Sequence, residues 1–326
     1  MKIDGERIGM PKKDLISVVV PCYNEEESLP IFYKEINKIA DSMKEVKFEF
    51  LFINDGSKDK TLQIIKKLAK KDRRVKFISF SRNFGKEAGM YAGLTNATGD
   101  YVAIMDADMQ DPPSMLKKMY KEIKNSNYDC IALYTKSHKG YNFIRKGLTS
   151  MYYKIFNKIT KTNQMPGARD FRLMTRQMVD AIASIKEYNR YIKGIFGFVG
   201  FNTKWLSYEA KDRVAGTSKW GLIKLTKYAL EGVVAFSTSP LLISAYVGLI
   251  FCFVAFLTII VIIVKTLIWG DPVSGWPSLA CLVVFLGGLQ LFFLGIIGIY
   301  LSKIYLEVKK RPIYIEKEHN YKRKYK

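Results

Sequence analysis

Histidine and cysteine are scarce in this chain of 326 residues. The only two histidines, His138 and His319, stand outside any motif, which argues against a histidine-ligated zinc site and against Ser-His-Asp catalysis. The four cysteines form no Cys-x-x-Cys pair, and Cys252 and Cys281 fall inside apolar runs near the C-terminus. We therefore expect a reduced compartment and no disulfide framework.

Two runs near the C-terminus lack any charged residue, Leu241 to Val264 and Ser278 to Ser302. Each exceeds the roughly 20 residues that cross ~30 Å of hydrocarbon as a helix. Two buried core helices are the alternative, but uncharged runs of this length are rare in soluble folds. The pattern predicts two transmembrane helices within residues 239–302. Because the polar start of the chain lacks an apolar signal segment, we expect residues 1–240 to stay on the side of synthesis.

The distribution of charged residues around the two apolar runs predicts how the helices are oriented in the membrane. Residues 303–326 hold nine Lys or Arg against three Glu, whereas the connector 265–277 has one Lys and one Asp. The positive-inside rule then places both termini in the cytoplasm of a multi-pass plasma-membrane protein, with 303–326 as a basic tail. The net charge of +22 is compatible with nucleic acid, but anionic lipid head groups explain it more simply beside two spans, so we expect no nucleic-acid partner.

The first 130 residues alternate between short apolar strands and amphipathic helical stretches. Strands are predicted at 15–21, 48–53, 75–80 and 101–105, and helical stretches at 28–42, 62–68 and 88–97. This alternation is typical of βαβ units and predicts an α/β domain with a mostly parallel, Rossmann-like sheet. Ligands of such sheets bind beyond the carboxyl ends of the strands.

The fourth predicted strand ends in three oxygen-bearing side chains, Asp106, Asp108 and Gln110. In an extended segment alternate residues share a face, so the three can converge on one point. Oxygen ligands suit Mg²⁺ or Mn²⁺, and Mg²⁺ commonly combines one or two carboxylates with substrate phosphates. The alternative is an acidic turn before a helix that begins at Asp-Pro-Pro.

Polar residues also follow the other three strands. Helix capping is the ordinary role for such residues, and we favour it for Asp59. Other caps are available near Asp55, so we interpret Asp55 as an acceptor for a nucleotide base or ribose, with Tyr23 offering a flat face. Arg82 and Lys86 supply positive charge for a diphosphate.

Taken in order, these motifs resemble the nucleotide-sugar-binding domain of inverting family 2 glycosyltransferases with the GT-A fold. The matching segments are Pro21–Glu26, Asn54–Asp59, Ser81–Ala88 and Asp106–Pro113. Three later segments, followed by the two apolar runs, resemble the polyprenyl-phosphate branch, which includes dolichyl-phosphate mannose synthases and bacterial undecaprenyl-phosphate glucosyltransferases. Those segments are Gly167–Met174, Asn189–Gly194 and Arg213–Trp220.

The resemblance implies roles for individual residues. Nucleotide-sugar binding falls to Pro21, Tyr23, Glu25, Asp55, Arg82 and Asp106. A Mg²⁺ or Mn²⁺ cofactor would be held by Asp106, Asp108 and Gln110. Catalysis would rest on Asp170 in the position of the base, together with Asp108. Diphosphate and lipid phosphate would be bound by Arg145, Arg172, Arg213, Ser218 and Lys219. One departure from many relatives is Arg169, where they have Gly.

Two amphipathic stretches accompany the spans. Residues 141–160 place apolar side chains on one helical face with basic residues elsewhere, which predicts an interfacial helix from which Arg145 reaches the lipid phosphate. Residues 218–238 predict a juxtamembrane helix. Packing of either helix on the sheet is the alternative. The expected organisation is a tail at 1–13, a GT-A domain at 14–217, the juxtamembrane helix, the two spans and the basic tail.

Together these features predict a metal-dependent hexosyltransferase. It would move one hexose from a nucleotide-diphosphate sugar, UDP-glucose or a related UDP-sugar, to polyprenyl (undecaprenyl) phosphate at the cytoplasmic face of a bacterial membrane. The product would serve cell-envelope glycosylation through a flippase and a second glycosyltransferase. The glycines of the second span would allow it to pack against copies of itself as a homo-oligomer, and the sequence leaves the oligomeric state open. The alternatives are a processive polysaccharide synthase, although no Q-x-x-R-W motif is present, and a non-catalytic sugar-nucleotide-binding membrane subunit.

Overall fold

The computed structural model describes residues 13–135, 165–208, 232–269 and 275–321. The chain forms two units, Met1–Leu225 with Pro312–Lys326, and Thr226–Arg311. The predicted interfacial helix at 141–160 and nearly all of the tail at 1–13 lie outside the described residues, as does most of the juxtamembrane stretch at 218–238.

In the first unit, strands and helices alternate up to residue 135 and then follow a less regular order. The first part comprises β1 (Leu15–Cys22), α1 (Ser28–Ser42), β2 (Lys47–Asn54), α2 (Thr61–Lys71), β3 (Val75–Phe80), α3 (Lys86–Asn96), β4 (Tyr101–Ile104), α4 (Met115–Lys124) and β5 (Cys130–Thr135). The second part comprises β6 (Ala168–Thr175), α5 (Arg176–Ser184), α6 (Ile192–Phe198), β7 (Thr203–Tyr208) and, after the second unit, β8 (Glu316–His319).

These strands form one eight-stranded sheet in the order β7-β5-β6-β4-β1-β2-β3-β8. The strands β4, β1, β2 and β3 are mutually parallel, as the alternating pattern predicts. Strand β6 runs antiparallel between β4 and β5, and β8 runs antiparallel along β3. The predicted α/β fold with a mostly parallel sheet is confirmed, whereas sequence analysis missed the antiparallel strands.

The core lies between the sheet and the helices. Leu29, Phe32 and Ile36 of α1 are fully buried against it, together with Val18 and Val20 of β1. The spacing that predicts α1 is thus the spacing of its buried face. Burial of these branched and aromatic side chains, each worth about 1.5–3 kcal/mol, fixes the strands whose ends carry the polar residues.

The second unit contains two long apolar helices, α7 (Ser239–Trp269) and α8 (Trp276–Val308). Segments Ser239–Thr258 and Phe285–Val308 are long and apolar enough to cross a membrane. Residues 303–308 continue α8 and residues 316–319 form β8. The C-terminal segment, predicted as a basic tail, therefore contains both the end of a helix and an edge strand.

The buried carboxylate of Glu49 links the three neighbouring strands β1, β2 and β3. Glu49 of β2 is 4% exposed and accepts from Ser17 Oγ at 2.7 Å and from Thr98 Oγ1 at 2.8 Å. Lys76 of β3 forms an ion pair with the same side chain. Burial alone raises the pKa of Glu49, but Lys76 and the hydroxyl donors outweigh it, so the pKa lies below its usual value.

We expect Glu49→Ala to lower the free energy of unfolding by about 3 kcal/mol, because it leaves Lys76, the buried Ser17 hydroxyl and the Thr98 hydroxyl without their acceptor. The control Glu35→Ala removes an exposed ion pair with Lys38 and should cost less than about 1 kcal/mol. In the folded protein the pKa of Glu49 is lowered. Its contribution to the free energy of unfolding should therefore persist as the pH falls to about 4, where a free glutamate titrates, and decrease below that pH. Chemical unfolding in detergent, followed against pH, measures both effects. Equal destabilisation by the two variants would contradict this account.

Candidate active site

The loops that follow β1 and β2 are hydrogen-bonded to each other at the carboxyl edge of the sheet. The Asn24 N–H donates to Ser57 Oγ at 3.0 Å, and the Lys58 N–H donates to Asn24 Oδ1 at 2.9 Å. Gly56 has a φ of +62°, and a Cβ there would lie 2.3 Å from the carbonyl carbon of Arg82. Glycine is therefore required where the second loop passes the third.

Asp55 fastens the third loop to this edge. Its carboxylate accepts from the Phe84 N–H at 2.6 Å and from the Gly85 N–H at 2.9 Å, immediately before α3. Burial raises the pKa of Asp55 to about 6, although the two N–H donors and Arg82 counteract it. Asp55 therefore holds the backbone of the loop just before α3, although α3 itself has no side-chain cap. The contact of Asp55 with a nucleoside stays a prediction.

The other residues predicted to hold the nucleotide lie along the same edge. Pro21 is at the end of β1, and Tyr23 and Glu25 follow it. The Glu25 carboxylate accepts from Ser28 Oγ at 2.5 Å, which closes the first turn of α1. The guanidinium of Arg82 lies 4.2 Å from the centre of the Phe84 ring. Their contacts with a nucleotide also stay predictions.

The acidic loop after β4 is a turn and not an extended segment. Strand β4 ends at Ile104, and Met109 has a φ of +61°. The Gln110 N–H donates to Asp108 Oδ1 at 3.1 Å, while Gln110 Oε1 accepts from Arg169 Nη2 at 3.0 Å. The expected alternation of Asp106, Asp108 and Gln110 on one strand face is therefore wrong, because the chain turns as soon as pairing with β1 ends.

Lys86, the first residue of α3, lies between two carboxylates. Its Nζ is 2.8 Å from Asp106 and 2.5 Å from Asp170. Strand β6 pairs with β4 so that Ile104 lies opposite Arg172, and continuing this register by two residues on each strand leads to Asp106 and Asp170. Sheet register thus brings together the acidic loop and the predicted base, and the ammonium group bridges them.

The charges around Asp170 keep it ionised. Its side chain is 17% exposed, and Oδ1 is buried without a hydrogen-bond partner among the described residues. Burial by itself raises the pKa of Asp170, but Lys86 and Lys193 overcome this effect and hold it well below its usual value. The two carboxylates raise the pKa of Lys86 against the opposing effect of burial. Asp170 is therefore an anion at neutral pH.

Two basic side chains flank Asp170. Arg172 is 3% exposed, its guanidinium lies 3.6 Å from the centre of the Phe196 ring, and its Nη2 donates to the Arg169 carbonyl at 3.4 Å. The contact of Arg172 with a lipid phosphate stays a prediction. Lys193 of α6 also lowers the pKa of Asp170 and was not among the predicted site residues, although the segment Asn189–Gly194 contains it.

Comparison with known proteins shows the family of this chain. Residues 17–183 match the family described as glycosyl transferase family 2. CsbB of Bacillus subtilis (strain 168) is 43% identical over 309 residues, covering 95% of this chain and 93% of that protein. The SfII prophage-derived bactoprenol glucosyl transferase of Shigella flexneri is 41% identical, covering 93% and 97%. A prophage bactoprenol glucosyl transferase homolog of Escherichia coli (strain K12) is 40% identical, covering 93% and 98%.

The chain belongs to glycosyltransferase family 2. The predicted family and the GT-A fold are confirmed, and the protein is a glycosyltransferase. Most of β1 and all of β2 to β6 lie within the matched residues 17–183, as do the loops that follow β1 to β4.

The acidic loop of this glycosyltransferase fits a small divalent cation in its donor chemistry. Asp106 and Asp108 supply carboxylates, and Mg²⁺ needs only one or two of these when substrate phosphates complete its shell. The site already holds a cationic group, Lys86, against Asp106. Among the described residues, no cluster of three or more His, Cys, Asp or Glu side chains is arranged to hold a metal. Asp106, Asp108 and Gln110 stay the predicted protein ligands of such an ion, and phosphate oxygens and water would complete its shell.

Four residues predicted to bind phosphate lie outside the described residues, namely Arg145, Arg213, Ser218 and Lys219. Strand β7 ends at Tyr208, just before the segment that contains the last three.

We expect Lys86→Met to lower the rate of glycosyl transfer roughly 100-fold, because two carboxylates lose the cation between them. Without Lys86, burial should raise the pKa of Asp170, so the acidic limb of the rate profile should move to higher pH. Lys38→Met, on the exposed surface of α1, is the control and should leave the profile unchanged. Transfer rates between about pH 4 and 9 test this, and an unmoved acidic limb in Lys86→Met would refute it.

Proposed function

We propose that this glycosyltransferase moves a single hexose from a UDP-sugar, with UDP-glucose the first candidate, to a polyprenyl phosphate at the cytoplasmic face of the membrane. The observation that carries the proposal is the group formed by Asp106, Lys86 and Asp170 in a family 2 chain. Relatives that match over more than nine-tenths of this chain are named bactoprenol glucosyl transferases, which supports both the sugar and the carrier.

The chain path supports a membrane-bound enzyme with both termini on one side. Helices α7 and α8 come between β7 and β8, and β8 belongs to the same sheet as β1 to β4. If each helix crosses the membrane once, the chain returns to the side from which it left. The basic C-terminal segment makes that side the cytoplasm by the positive-inside rule.

The reaction joins two anions, and this is its main electrostatic cost. An oxygen of the acceptor phosphate attacks the anomeric carbon, the bond from that carbon to the diphosphate oxygen breaks, and UDP leaves with the electron pair. The sugar configuration is inverted. A bound Mg²⁺ or Mn²⁺ would neutralise charge on the departing diphosphate. Lys86 and Lys193 contribute fixed positive charge beside Asp170, where preorganised electrostatics lowers the barrier.

At neutral pH only a minor fraction of the acceptor phosphate carries a proton that Asp170 could remove. The second pKa of a phosphate monoester lies near about 6, so polyprenyl phosphate is largely a dianion at neutral pH. We infer that Asp170 chiefly orients Lys86, with which it forms an ion pair, and that proton removal is secondary. Its low pKa supports this role, since a strongly stabilised carboxylate is a weak base.

The proposal is tested with membranes that contain the protein, undecaprenyl phosphate, radiolabelled UDP-glucose and Mn²⁺. A solvent-extractable, mild-acid-labile product carrying one sugar is expected. A long polymer would identify a processive synthase, and binding of UDP-glucose without any product would identify a non-catalytic subunit.

In the same assay, Asp106→Asn should lower the transfer rate at least about 100-fold, because one of two metal carboxylates is lost. Asp170→Asn should lower it by about 100-fold or more at neutral pH, because Lys86 loses one of its two carboxylate partners. Asp180→Asn is the control, since Asp180 lies on α5 and is 58% exposed. Near-normal turnover in Asp170→Asn would remove Asp170 from the mechanism.

A further inference from the structure

The first two residues of α3 contact different parts of the protein. Lys86 lies between the carboxylates of Asp106 and Asp170. The next residue, Glu87, accepts through its carboxylate from the Ile192 N–H at 2.9 Å. Ile192 is the first residue of α6 and is fully buried. A contact between residues 105 positions apart therefore joins the start of α3 to the start of α6.

The first turn of α6 obtains an acceptor from Glu87. Tyr191 precedes this helix, and its side chain makes no capping hydrogen bond. The first N–H groups of a helix have no partner within the helix, so an acceptor has to come from elsewhere. The Glu87 carboxylate supplies one for Ile192, and a negative charge is also favoured at this end of the helix dipole.

A second contact holds the segment before α6 against α3. The Arg190 guanidinium lies 4.4 Å from the centre of the Tyr91 ring. It also donates to the carbonyls of Ile182 and Ile185 at the end of α5. Tyr91 follows Glu87 by four residues, so both side chains lie on one face of α3. This face of α3 therefore holds the chain directly before α6 as well as its first residue.

The position of α6 determines where Lys193 lies. The Arg172 guanidinium, 3.6 Å from the centre of the Phe196 ring, fixes the contact between β6 and α6. Lys193 is about one helical turn before Phe196, and Asp170 is two residues before Arg172 on the same face of β6. Burial would raise the pKa of Asp170, and Lys193 is one of the cations, after Lys86, that lower it.

We propose that Glu87 is a positioning residue for glycosyl transfer, which fixes the start of α6 and thereby places Lys193 beside Asp170. The inference rests on the proposed function, since it concerns the same transfer. The first two residues of α3 then set both cations of the site, Lys86 directly and Lys193 through the backbone of α6.

The first test measures whether Glu87 holds the start of α6. Hydrogen–deuterium exchange of the full chain in detergent is followed by mass spectrometry. Peptides that span residues 191–198 should exchange at least about fivefold faster in Glu87→Ala, because the first turn loses its acceptor, while peptides of β1 to β4 keep their rates. Unchanged exchange in α6, or equal acceleration throughout the sheet, would overturn the inference.

The second test asks whether Glu87 acts through Lys193. In the transfer assay, Glu87→Ala should lower kcat about tenfold and change KM for UDP-glucose less than about threefold, because the loops after β1 and β2 are not altered. In a Lys193→Met background the same substitution should lower kcat less than about threefold, since the group that it positions is already absent. Equal losses in the two backgrounds would overturn the inference.

Glu87→Gln guards against a variant that fails to fold. It keeps an oxygen that can accept from the Ile192 N–H, so its kcat should lie within about threefold of the wild-type value. A loss as large as that of Glu87→Ala would contradict the positioning role.

Glu122→Gln is the matched control. It removes a carboxylate that pairs with Lys204 on β7, away from the contact between α3 and α6, and should leave kcat unchanged. An equal loss in this variant would also overturn the inference. A wild-type protein that transfers no glucose would contradict the proposed function, and this inference with it, whereas wild-type turnover with independent losses would contradict the inference alone.

Discussion

The ammonium group of Lys86 is the centre on which the arrangement of this site depends. Two carboxylates, Asp106 and Asp170, both contact this group and would repel each other without it. A cation at the start of α3, 2.8 Å and 2.5 Å from them, removes that repulsion. The first turn of α3 is in turn held by Asp55 through the preceding loop. Sheet register, helix start and charge balance therefore form one connected constraint.

The same constraint explains why this edge of the sheet suits an anionic donor. Positive charge on Lys86, Lys193 and Arg172 surrounds a carboxylate that stays ionised. Positive and negative groups lie within a few ångströms of each other before any substrate arrives. A diphosphate that binds together with its metal ion can form ion pairs with these groups. Few charged side chains then have to move during the reaction.

Much of the fold could be predicted from local sequence, whereas many of the side-chain contacts in the site could not. The runs that predict β1 to β4 and α1 bury the residues that their periodicity selects, and Asp59 accepts from the Thr61 N–H at 3.0 Å as a local cap should. The hydrogen-bond partners of Asp55 and Gln110 instead lie 29 and 59 residues away along the chain. Such contacts depend on strand order, and the crossing of β6 between β4 and β5 leaves no periodic signal along the chain.

The position of β8 has a consequence for biosynthesis. This strand covers the outer edge of β3, yet it is made after both long apolar helices. While those helices leave the ribosome, the edge of β3 has unpaired backbone groups, the kind of edge through which nascent chains associate wrongly. Completion of the sheet therefore waits until the chain beyond both helices has been made, and a chain cut short within α8 would keep this edge of β3 unpaired.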